Sequence, residues 1–176
     1  MAAAEAERRG LPVLLVDPVG DAPAAGAVEC GSDWRLALRT VYGAGRHARV
    51  VPRSEEESEV LAAAILRCGN LVAFWDELAF WSSGRSVGSR LEELIRTARH
   101  HGVVFVGASQ FVGDLPSGVL NCAGQVLAFR CASWRACDRL RQEFGFSPDT
   151  LRGLPPREYL AWDRWAPAAA DPEKKS

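Results

Sequence analysis

Apolar residues along this chain fall into short runs that end abruptly in polar groups. Leu11 to Val16 (LPVLLV) is a continuous apolar run stopped by Asp17-Pro18, the pattern of a buried strand closed by a turn. Asn70 to Trp75 (NLVAFW) ends in Asp76-Glu77, and Val103 to Ala108 (VVFVGA) ends in Ser109-Gln110. Ala48 to Pro52 predicts a shorter strand, Gln125 to Phe129 a fourth and Tyr159 to Trp162 a last one. Between them the period changes to that of a helix. Ser54 with Glu57 three residues on is a capping box opening a helix to about Arg67. Val87 to His101 is amphipathic, apolar at Leu91, Leu94, Ile95 and Ala98, with Gly102 as its cap. Trp34 to Tyr42 and Trp134 to Phe144 predict two more helices, and Ala2 to Arg9 reads as the end of another before Gly10. Val19 to Gly31 reads as a Gly/Ala/Pro-rich loop.

Strands alternating with helices predict an α/β fold with a mostly parallel sheet and helices on both faces. The 176 residues suit one domain, expected over residues 1–165, with 166–176 a disordered Ala/Pro/charged tail. No internal repeat is evident.

Composition narrows the chemistry. The net charge of −1 offers no global attraction for nucleic acid, so any DNA contact has to be local or built by oligomerisation. Nineteen cations are Arg and only two are Lys, Lys174 and Lys175. The five cysteines form no CxxC pair, and with three histidines they show no metal-ligand spacing. They read as small buried groups in a reducing cytoplasm. No run reaches the length of a membrane span, and no signal-peptide segment opens the chain.

In an open parallel sheet the carboxyl ends of the strands form the ligand crevice, so the polar strand tips carry the candidate chemistry. Asp76-Glu77 on an apolar strand has the form of a Walker B element. Its first acid suits Mg²⁺, which keeps several waters and takes few carboxylates, and its second suits polarising an attacking water. Strand-plus-DE is equally what a solvated acidic turn looks like. Asp17, Asp76 and Glu77 on one metal is a further option, that of an unrelated hydrolase or nuclease.

The stretch RLEELIRTARHHGVVFVGASQF (Arg90 to Phe111) resembles the FtsK/HerA superfamily of DNA-translocating ATPases, in which an amphipathic helix ending in Arg leads through a Gly turn to a strand ending in Thr-Gln. Here Ser109 stands for the Thr. The resemblance extends through LPSGVLNCAGQVLAFR, SWRACDRLRQEFG and LRGLPPREYLAW, and upstream through ERRGLPVLLVDPVGD, roughly residues 5 to 162. It implies a P-loop NTPase (RecA/FtsK-like) core binding ATP and Mg²⁺. Asp76 would assist the metal, Glu77 activate water and Gln110 sense the γ-phosphate, with Ser109 beside it. Arg99 would contact nucleotide, in cis or across a subunit boundary, and Arg130 is a second candidate. It also implies a ring homo-oligomer acting on DNA.

The sequence departs from that family at one decisive point. A phosphate loop reads GxxxxGK[ST], and no Lys precedes position 174. By the resemblance the loop belongs just upstream of Met1, so the expectation is a core missing its first strand and phosphate loop. It would be either an N-terminally truncated motor subunit, inactive alone, or a non-catalytic ATPase-fold binding or assembly protein.

Overall fold

A computed structural model describes residues 10–21, 26–82 and 86–165. Its contacts divide the chain into two compact units, Met1–Val119 and Leu120–Ser176. The helix expected over Ala2 to Arg9 and the tail after Trp165 lie outside the described residues.

The first unit holds β1 (Val13–Val16), β2 (Val28–Glu29), α1 (Trp34–Ala44), β3 (Ala48–Val50), α2 (Glu55–Cys68), β4 (Val72–Trp75), α3 (Ser89–Thr97) and β5 (Val104–Gly107). The five strands form one sheet in the order β2-β3-β1-β4-β5, and every pairing is parallel. The α/β class with a mostly parallel sheet therefore stands as read. The loop expected over Val19 to Gly31 contains the two-residue β2, too short to leave a periodic signal.

Local chemistry sets the helix limits. Asp33 caps α1 by accepting from the Leu36 N–H. Ser54 caps α2 by accepting from the Glu57 N–H at 3.2 Å, while the Glu57 carboxylate reaches back to the Arg53 N–H at 2.8 Å, one residue earlier than in the usual capping box. The helix expected to run to His101 is α-helical only through Thr97. It tightens to a 3₁₀ turn over Ala98–His101, and Gly102 closes it in the left-handed region.

Register explains where the core lies. Ala48, Leu14 and Ala73 stand side by side, as do Val50, Val16 and Trp75. All six are fully buried, with Leu61, Ile65, Leu91 and Leu94 of the helices buried alongside. The alternate residues Val13, Leu15 and Phe74 point to the other face and are half-buried. Helix cover is thus fullest on one face. Glu29, Arg49 and Asp17 fall on the more open face, as does Asp76 by the same alternation.

The second unit is built on a two-stranded antiparallel ribbon of β6 (Gln125–Phe129) and β7 (Tyr159–Asp163). A four-residue α4 (Ser117–Leu120) bridges the boundary, followed by α5 (Trp134–Phe144) and α6 (Pro148–Gly153). The ring of Phe144 lies 5.1 Å from that of Trp162 on β7. Hence β6, read from the sequence as a fourth strand, pairs with β7 rather than with the parallel sheet. No helix among the described residues is long and apolar enough to cross a membrane.

Candidate functional site

Parallel pairing continues past the strand ends and fixes the tips against one another. The Asp76 N–H donates to Val16 at 2.9 Å, Asp17 N–H to Val50 at 3.0 Å and Ala108 N–H to Trp75 at 2.9 Å. Asp17, Asp76-Glu77 and Ser109-Gln110 therefore stand at the same end of three neighbouring strands.

Glu77 is the most constrained of them. It is 8% exposed and holds a positive φ of 43°, a conformation that costs a non-glycine residue about 1–3 kcal/mol and is kept only where its surroundings enforce it. Its carboxylate supplies that enforcement. One oxygen accepts from the Ser109 hydroxyl at 2.9 Å and the other from the Gln110 N–H at 3.0 Å. The Ser109 oxygen in turn accepts from the Phe111 N–H at 3.1 Å. Glu77 thus clasps the turn that follows β5. The Gln110 side chain is left exposed above it.

Asp76 faces the other way. One of its oxygens accepts from the Glu77 N–H at 3.0 Å, and carboxylate oxygens of Asp17, Asp21 and Asp76 lie within 4.8 Å of one another. Asp17 is fully buried and its charge is balanced. Arg49 Nε donates to Oδ2 at 3.1 Å, Arg49 Nη2 donates to the same oxygen, and the Gly20 N–H donates to Oδ1 at 2.7 Å. Arg49 also donates through Nη1 to both Glu29 oxygens at 3.1 Å. The hydrogen bond to Asp17 is the chief cause of its raised pKa, so it stays a cation throughout the accessible range.

Hard oxygen donors at this spacing suit Mg²⁺, with Asp76 and the exposed Asp21 as the residues to hold it and Asp17 behind them. A triphosphate finds no such fit, for the chain contains no GxxxxGK[ST] run to cradle it. The grouping of Asp17, Asp76 and Glu77 on one metal is corrected. Glu77 turns to Ser109 and Gln110, and Asp21 takes its place in the cluster.

The structure brings four of the sequence-derived site residues together: Asp76, Glu77, Ser109 and Gln110. Arg99 is not with them. It lies in the 3₁₀ turn that precedes β5, at the opposite end of the sheet from Ser109, and a four-residue strand at ~3.3 Å per residue stands between. Within one chain Arg99 does not join the acid pair. Arg130 is exposed just after β6 in the second unit. Sequence reasoning missed Arg49 and Asp21. Nothing local marks either, because what makes them part of the site is the adjacency of β3 to β1 and the course of the loop after Asp17.

No protein-family model and no curated protein matches this chain. Solved structures do. The genome packaging NTPase B204 from Sulfolobus turreted icosahedral virus 2 in complex with ATP-gammaS superposes with a TM-score of 0.69 at 15% identity, covering 91% of this chain and 80% of that one. Its complex with AMPPCP gives 0.67 at 13%, covering 91% and 81%. B204, the DNA-packaging ATPase from Sulfolobus Turreted Icosahedral Virus, gives 0.59 at 14%, with the same shares. At these identities the likeness establishes the fold, and this chain has the α/β fold of those packaging NTPases.

Proposed function

We propose that this chain is a motor-type ATPase subunit of the FtsK/HerA kind, working on DNA within a ring homo-oligomer. Its residues carry the metal-and-water half of the site, and the lysine loop has to come from outside these 176 residues. The single observation behind this is the clasp at the tips of β4 and β5. Glu77 is bonded to Ser109 and Gln110 while Asp76 turns to an oxygen cluster. The likeness to a genome packaging NTPase solved with AMPPCP and with ATP-gammaS supports the same reading.

In this proposal Asp76 and Asp21 are the residues that would hold Mg²⁺. The metal would supply charge neutralisation for a phosphate. Gln110 presents its amide at the rim for a terminal phosphate. Glu77 orients a water and takes its proton on a lone pair that the bonds from Ser109 and Gln110 leave free, since each carboxylate oxygen accepts only one of them. Any nucleotide contact by Arg99 has to be made in a neighbouring copy's site, because it lies at the far end of its own sheet from Ser109.

The test is phosphate release and Mn²⁺ binding by the purified chain, followed by Asp76→Asn and Glu77→Gln. Mn²⁺ binding lost in Asp76→Asn and kept in Glu77→Gln, with any turnover lost in both, is the expected pattern. Metal binding untouched by Asp76→Asn would refute the assignment.

A second reading has its own support. Glu77 has both oxygens engaged and no phosphate loop is present, which is what a non-catalytic ATPase-fold binding or assembly protein would show. A chain that binds DNA or an ATPase partner but releases no phosphate under any condition favours it.

A further inference from the structure

The end of the sheet opposite the acid cluster has its own chemistry. Three helix-to-strand turns meet there and are bonded to one another. The Val13 N–H at the start of β1 donates to His47 Nδ1 at 3.0 Å. The Tyr42 hydroxyl at the end of α1 donates to the Gly69 carbonyl. The Asn70 N–H donates to the His101 carbonyl at 3.0 Å. These turns carry Arg46, His47, Arg67, Arg99, His100 and His101, all exposed. Among the described residues the turns contain no Asp or Glu.

Helix ends alone do not account for so many cations. A helix C-terminus carries about −0.5 of a charge, so three of them offset only about half of the charge on Arg46, Arg67 and Arg99. The surplus is positive and lies at the edge of the unit. From β3 to β5 the row crosses three inter-strand steps, roughly 14 Å at ~4.8 Å each. An open cleft of about 510 Å³ continues it between α2 and α3, lined by Arg67, Arg90 and His101. Among the described residues lining it, Glu93, paired with Arg90 at 2.8 Å, is the only carboxylate.

We propose that this basic edge, centred on Arg46, Arg67 and Arg99, binds the phosphate backbone of duplex nucleic acid. A duplex presents about one charge per 1.7 Å of axis, so a row of this length meets several phosphates. The cations are Arg, whose planar forks match phosphate oxygens. Arg contacts to phosphate carry no sequence information, so binding is independent of sequence and steep in salt. It rests on the proposed function for its DNA partner and assigns where that contact is made, and because it needs neither nucleotide nor metal it can fail while the ATPase site stands.

The experiment is fluorescence anisotropy of the full chain with a short labelled duplex, without nucleotide, over a salt series. In Arg67→Gln/Arg99→Gln, affinity at low salt should fall roughly tenfold or more. The slope of log K against log salt should flatten by about 2, near 0.9 per lost contact. The same charge removed at the acid end, in Arg35→Gln/Arg53→Gln, should leave the slope within about 0.5 of the parent. Arg67→Lys/Arg99→Lys should restore most of it. A parallel readout needs no variant: duplex should protect Arg67 and Arg99 from phenylglyoxal in the parent chain. Equal loss in both Gln doubles, no protection, or binding to anionic vesicles but not to duplex would each overturn the proposal.

Discussion

Asp17 is a fully buried carboxylate whose guanidinium comes from the next strand, and Arg49 is itself only 12% exposed. Such a pair contributes little against a well-packed apolar alternative, yet removing one partner is expensive because the other charge stays buried. Arg49→Met should therefore destabilise the chain by about 3–5 kcal/mol, measured by urea unfolding. Asp17→Asn in the same chain should recover part of that loss, since the charge left behind is then gone. If Arg49→Met unfolds at the parental urea concentration, Asp17 is not held as described. Ser58 is the opposite case. It is 2% exposed on α2, and its hydroxyl has no partner among the described residues. A buried polar group without a bond costs about 1–3 kcal/mol, so Ser58→Ala should raise the melting temperature rather than lower it.

Elements are joined at their ends by few groups, and Tyr42 is one. Two-fifths of the residue is exposed, but its hydroxyl turns onto the Gly69 carbonyl and ties α1 to the turn before β4. Burial, with a smaller contribution from Cys68, pushes the phenol well above its ordinary value of 10.0. The neutral form is favoured in the folded chain. The contribution is therefore complete below pH 10, and it fades as pH rises towards the folded-state value. Melting temperature should fall above pH 10, and Tyr42→Phe should be lower at neutral pH but fall less steeply. An identical alkaline slope in both chains would remove Tyr42 from the account. The helices were readable from sequence because their signals are local: Ser54, Gly102 and Gly145 act within one turn of themselves. α6 carries a local signal of the same kind, Ser147 as cap with Pro148 and Asp149 in the first turn. The strand tips were readable for the same reason. What was not readable is lateral. The order β2-β3-β1-β4-β5 decides that Arg49 meets Asp17, that Glu77 meets Ser109, and that Arg99 lies at the far end. No spacing along the chain encodes an adjacency across strands.

At the scale of the whole sheet the two edges are unlike. β2 is two residues long and ends in Glu29, a short charged edge of the sort that discourages pairing. β5 is Val-Phe-Val-Gly with no charge or proline, and its residues are half-buried to exposed. Val104 and Ala108 donate inward to Leu71 and Trp75, so by the alternation of a parallel strand the N–H groups of Phe105 and Gly107 point outward. Among the described strands β5 pairs only with β4. An apolar edge with outward donors is the place for another strand to add, and a lysine loop arriving from outside these residues would enter beside Ser109-Gln110 along it. Hydrogen exchange can read this directly. In the chain alone at low concentration, the Phe105 and Gly107 amides should exchange far faster than those of Val104 and Ala108. Any chain that completes the sheet should slow Phe105 and Gly107 selectively and leave the other two unchanged. If all four exchange equally slowly at every concentration, the β5 edge is already closed, and the strand addition proposed for it is wrong.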